Sequence, residues 1–214
     1  VSLIENFSQF AAAGGEFAYR AMQQITASFV TVRTVLTMEN VMSLLSPDMI
    51  ANGSLTVLVA AVTNLTKMTN ALIQNFSQFA AAGTYTDAEG NIHNFADMAM
   101  AQITASVEVF VKRDADGKIV GGLLQVDNVI QILGAGSGTD FLVNASLQAL
   151  ASMTSEVAAN LQSFLDAGPQ YFEQAVNLIE TALVGMGALG TNEALNAIIS
   201  AGGQSVVVTT MASL

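Results

Sequence analysis

IENFSQFAAAG at residues 4–14 returns as IQNFSQFAAAG at residues 73–83, differing only at Glu5 and Gln74, and this pair of strings decides how the whole chain is read. AMQQITAS at 21–28 then returns as AMAQITAS at 99–106. The offset grows from 69 to 78 between the two pairs, so nine residues around TYTDAEGNI entered the later copy. MENVMSLL at 38–45 matches VDNVIQIL at 126–133 at an offset of 88, which places a further insertion around VFVKRDADGKIVGG. A constant offset of 154 carries Ala21 and Ile25 onto Ala175 and Ile179, and TMENVMSLLS at 37–46 onto TNEALNAIIS at 191–200. The expected organisation is three units, 1–69, 70–157 and 158–214, stacked in one compact domain. Units stack in this way because one alone cannot bury its own apolar face.

The expected fold class is mainly α, with three pseudo-equivalent helical repeat units and one or two β-hairpins inserted in the middle one. Leu55, Leu58, Val62, Leu65, Leu72, Phe76 and Phe79 at three-four spacing predict a long helix from Ser54, as N-cap, to Ala82, closed by Gly83. Leu150, Met153, Val157 and Phe164 predict its counterpart from Thr139 to Ala167 before Gly168 and Pro169. Second helices are expected from Phe17, Phe95 and Tyr171, and short third helices at MENVMSLL and its two relatives. TYTDAEGNIHNF and VEVFVKRDADGKIVGGLLQV each set Asp, Ala, an acid and Gly between extended flanks, which predicts two hairpins with a left-handed Gly.

Composition narrows the function classes. Six Lys plus Arg against seventeen Asp plus Glu give a net charge of −11, so a grip on the phosphates of nucleic acid has almost nothing to build with. There is no Cys and a single His, His93, which removes thiol chemistry and leaves most catalytic triads and zinc sites without their side chains. The charged share is 11%, against an average near 25%, and 52% of residues are hydrophobic, so much apolar surface must be hidden. The richest apolar run, LTVLVAAV at 55–62, ends at Thr63 and Asn64, and no transmembrane segment is expected. No cofactor and no enzymatic activity are expected from this inventory.

VIQILGAGSGTDFLV at 129–143 resembles the first motif of Rossmann-type methyltransferases, in which a strand runs into a glycine-rich loop. The resemblance implies a cradle for S-adenosylmethionine. That family also ends its next strand with an acid, whereas here the helical pattern ASLQALASMTSEV follows and puts Glu156 in mid-helix, so Gly134, Gly136 and Gly138 read as the end of a helix. Asp114 and Asp116, like Asp87 and Glu89, crowd oxygen ligands into a short turn, and Asp114 and Asp116 are the candidate for weak calcium binding, without the Gly and Glu positions of an EF-hand. His93 is expected on the surface. Sequons at Asn6, Asn52, Asn64, Asn75 and Asn144 are candidate glycosylation sites.

Residues 1–10 match the second half of the expected long helix and residues 205–214 its first half. This predicts two helix fragments whose apolar sides need cover: Leu3, Phe7 and Phe10 on one, Val207, Met211 and Leu214 on the other. Burying a Leu or Phe contributes about 1.5–3 kcal/mol, so these side chains make roughly 10 kcal/mol available to whatever closes the gap. Closure within the chain gives a ring of units, and closure between chains a ring or filament. The function expected is therefore structural: a self-assembling repeat protein whose partners are copies of itself, in a homo-oligomer or filament outside the cell or on its surface. The alternative is a carrier that encloses a lipid or pigment in a cavity lined by Met, Phe and Leu.

Overall fold

The computed structural model describes residues 1–213, and Leu214 lies outside them. The chain begins with α1 (Ser2–Glu5), α2 (Phe7–Ala13), α3 (Gly15–Val35), α4 (Met38–Leu44) and α5 (Pro47–Ala51). Next come α6 (Ser54–Gln74), α7 (Phe76–Ala82), strands β1 (Thr84–Thr86) and β2 (Ile92–Asn94), α8 (Phe95–Glu108), and strands β3 (Lys112–Arg113) and β4 (Ile119–Gly121). The remainder is α9 (Val126–Gly134), α10 (Asp140–Ala159), α11 (Leu161–Ala167), α12 (Pro169–Leu189), α13 (Asn192–Ser200) and α14 (Gln204–Ser213). The described residues are thus mainly helical, with two small antiparallel strand pairs.

The two long helices do not run unbroken to Ala82 and Ala167. Asn75 separates α6 from α7 and Asn160 separates α10 from α11, with Asn6 doing the same between α1 and α2. Their torsions agree closely: φ/ψ of −105°/17° at Asn6, −106°/14° at Asn75 and −109°/14° at Asn160. Each side-chain amide donates to the carbonyl four residues back, that of Ser2, Ala71 or Glu156, at 2.8, 2.8 and 2.9 Å. An Asn that bonds the backbone in this way competes with the helix ladder, which is why the helix stops and restarts there. Counted from the breaks, Phe164 stands where Phe79 and Phe10 stand. Ser54 is also not the cap. Gly53, at φ +85°, precedes the helix, and the Ser54 hydroxyl instead donates to the Leu44 carbonyl.

The hairpins form where the turn chemistry places them. Thr84 pairs with Asn94 and Thr86 with Ile92, while β3 and β4 pair across a bulge between Lys112 and Arg113. Gly90 and Gly117 take φ of +87° and +79°, a region open to glycine at no steric cost.

α1, α6, α10 and α14 lie side by side in that order. The short helices α2, α7 and α11 pack in a second row, and α3, α8 and α12 in a third. One continuous apolar core runs through all three rows. α6 has the length and mean hydropathy, 1.2 over its richest window, of a helix able to cross a membrane, the one such helix among the described residues. Here it packs on α10, α3 and α8 and buries Leu58, Val62, Leu65 and Leu72.

Candidate assembly surface

The third row carries the informative surface. In α8, Phe95, Ala99, Gln102 and Ser106 form one stripe along the helix, and Ala96, Met100, Ile103 and Val107 form a second stripe about 100° away. Both stripes of α8 are buried. The offset of 78 maps the second stripe onto Ala18, Met22, Ile25 and Phe29 of α3, and all four are buried. It maps the first onto Phe17, Ala21, Gln24 and Ser28, where Ala21 is buried, Ser28 is half-buried, Gln24 is exposed and Phe17 is 56% exposed. In α12 the situation reverses. The offset of 154 maps the first stripe onto Tyr171, Ala175, Leu178 and Ala182, all buried. It maps the second onto Phe172, Val176, Ile179 and Leu183, where Val176 and Leu183 are 40% and 50% exposed and the other two are half-buried.

The internal contacts show how a second stripe meets a first. Arg33, on the second-stripe side of α3, donates from Nη2 to Oε1 of Gln102 in the first stripe of α8 at 2.9 Å. Burial pulls the Arg33 guanidinium below its ordinary pKa, and Glu108 opposes this. At the next junction the Tyr171 hydroxyl donates to the Asp97 carboxylate at 2.7 Å. Burial, and then that carboxylate, raise the Tyr171 pKa.

Aromatic side chains repeat the scheme one row over. Phe7 stacks on Phe79 with centroids 4.2 Å apart and meets Phe95 edge-on at 5.5 Å. Phe76 lies 4.6 Å from Phe164 and meets Tyr171 edge-on at 5.4 Å. The residue after the third Asn break is Leu161, and it is only half-buried.

The structure distributes the six seam residues unevenly. Phe7 is fully buried within the chain and presents nothing to a partner. Leu3, Phe10 and Val207 are partly buried against the core. Met211 is 57% exposed on α14, which packs on α10 and touches α12, and Leu214 is outside the described residues. Gly53, Gly138 and Gly202, at φ +85°, +82° and +89°, lie just before α6, α10 and α14 and give their register. Counted from those glycines, Met211 takes the place of the buried Val62 and Leu147.

The other candidate residues are occupied by local structure. The Asp114 carboxylate accepts the N–H groups of Asp116 and Lys118 at 3.1 and 2.9 Å, and Asp116 lies exposed in the same turn. Gly134 is the last residue of α9, and Gly136 and Gly138 lie between α9 and α10, with Glu156 within α10. His93 is not a free surface residue: its ring stacks on Tyr19 at 4.2 Å, and Nε2 lies 2.8 Å from Asp87 Oδ2. Among the sequons, Asn6 and Asn75 are helix-break residues, Asn52 donates to the Asp48 carbonyl, and Asn144 donates to the Ser205 hydroxyl, while Asn64 is exposed on α6. A groove of about 610 Å³ lies beside Ser8, Ala12, Ser77 and Ala81, between α2 and α7.

Phe17 and the Phe172, Val176, Ile179, Leu183 stripe were not among the expected interface residues. The signal was present in the offset of 154, which keeps all four stripe positions of α12 apolar. No family model, curated protein or solved structure matches this chain.

Proposed function

We propose that this protein is a structural building block that associates with copies of itself through apolar helix faces, as a homo-oligomer or filament outside the cell or on its surface. The reading treats the chain as three pseudo-equivalent stacked units. Their recurrent Asn breaks, recurrent left-handed glycines and recurrent sequence strings support it. One observation carries the functional step: apolar positions buried at two successive junctions, Met22 and Met100, or Phe29 and Val107, have exposed apolar counterparts in Val176 and Leu183. Exposed apolar side chains scattered singly are ordinary on a protein surface, whereas a continuous stripe that repeats a buried one points to a covered face.

Size-exclusion chromatography with light scattering over a dilution series tests the reading, with negative-stain imaging of the concentrated sample. The expected result is a mass that rises with concentration in multiples of the 22.2 kDa chain. A monomer at every concentration would reject it.

A further inference from the structure

Resting on that self-association reading, we propose which faces meet: the second stripe of α12 in one copy covers the first stripe of α3 in the next. The contact is heterologous, and it continues the packing that already joins α3 to α8 and α8 to α12. α8 alone is buried on both stripes, the first turned toward α3 through Gln102 and Arg33. α3 lacks cover on its first stripe, at Phe17 and Gln24, and α12 lacks cover on its second, at Val176 and Leu183. The two bare surfaces are the two halves of one contact that the chain makes twice internally.

The occupant of each is therefore a second copy, because that copy presents the half that is missing. Phe17 on α3 is matched by Phe95 and Tyr171, which receive Phe7 and Phe76 from the preceding Asn-break helices. In the assembled pair it would receive Leu161, the third residue of that series. A two-fold pairing of one stripe with itself would leave the other bare, whereas the head-to-tail contact buries both and propagates from copy to copy.

Two single variants of the full chain test this, one for each face: Phe17→Glu and Leu183→Glu. Both side chains are exposed, so each variant is expected to fold, with circular dichroism matching the parent. Every contact needs one intact α3 face and one intact α12 face, so each variant alone is expected to be a monomer by light scattering. Mixed in equal amounts, the two retain one good contact between them and should form dimers and nothing larger. A mixture that stays monomeric, or a variant that still associates alone while the parent assembles, overturns the proposed docking but leaves self-association standing. A parent chain that is monomeric throughout overturns both. The milder pair Phe17→Ser and Leu183→Ser repeats the test if either Glu variant loses its helical signal.

Discussion

α8 and α12 carry nearly the same apolar pattern, yet one is buried on two sides and the other on one. Ile103 is fully buried and its counterpart Ile179 is half-buried; Met100 is buried and Val176 is exposed. The residues are alike in type, so burial here is decided by place in the row rather than by hydrophobicity. An apolar residue at the end of a row is the same kind of residue as one in its middle, packed by a row neighbour on one side only.

The largest expected effect separates the members of one sequence pair. Phe95 and Phe17 are related by the offset of 78, but Phe95 is buried against Phe7 while Phe17 is 56% exposed. Phe95→Ala is expected to cost about 3–5 kcal/mol, the range for emptying a packed aromatic site. Phe17→Ala, measured at concentrations where the chain is monomeric, should stay within about 0.5 kcal/mol of the parent. Denaturant titration reads both, and equal losses would break the comparison between covered and bare stripes.

A second pair opposes two glycines of α12. A Cβ on Gly185 would lie 2.3 Å from Cγ2 of Val111 and 3.0 Å from its Cβ, because α12 and the chain leading into β3 approach closely there. One at Gly187 would meet nothing within 4 Å. Gly185→Ala is expected to destabilise by about 1–3 kcal/mol through overpacking. Gly187→Ala should stabilise by roughly 0.5–1 kcal/mol, because it removes a glycine from a helix. Thermal melts of the two variants check the opposite signs, which map the covered and bare sides of this helix.

Much of this organisation was legible in the residues themselves. Turn chemistry located both hairpins, whereas the caps of α4 and α13, where the Thr37 and Thr191 hydroxyls accept the N–H groups of Asn40 and Ala194, went unread although the offset of 154 aligns the two residues. The breaks at Asn75 and Asn160 were hidden because apolar spacing reports which side of a helix is buried and not whether a side-chain amide interrupts it. The burial of Phe7 was hidden for a related reason. Its cover comes from Phe79 and Phe95, far along the chain, so a terminal fragment that looked bare had partners from α7 and α8. The stripe of α12 escaped notice because Val176 and Leu183 look like core residues, and only their exposure in the fold marks them.

The smallest expected effect lies in the β1–β2 hairpin, which rests on the start of α3 beside the bare Phe17. His93 stacks there on Tyr19, and Tyr85 lies 5.3 Å from Tyr19. The Asp87 carboxylate holds the turn. It lies 2.8 Å from His93 Nε2 and accepts the Asn91 N–H at 2.8 Å and the Asn91 side-chain amide at 3.0 Å. These bonds, that of His93 foremost and then those of Asn91, hold the Asp87 pKa well below the usual carboxylate range. A carboxylate whose pKa is lower folded than unfolded adds stability that is fully present above the unfolded value, about 3.9, and fades as pH falls toward the folded one. The stability difference between the parent and Asp87→Asn should therefore be level near neutral pH and shrink below about pH 4. Hydrogen exchange at the Asn91 amide, followed through an acid titration, measures it locally. A difference that stays constant into strong acid would mean that Asp87 acts through its shape rather than its charge, and that the hairpin sits on α3 by packing of Tyr85 and His93 alone.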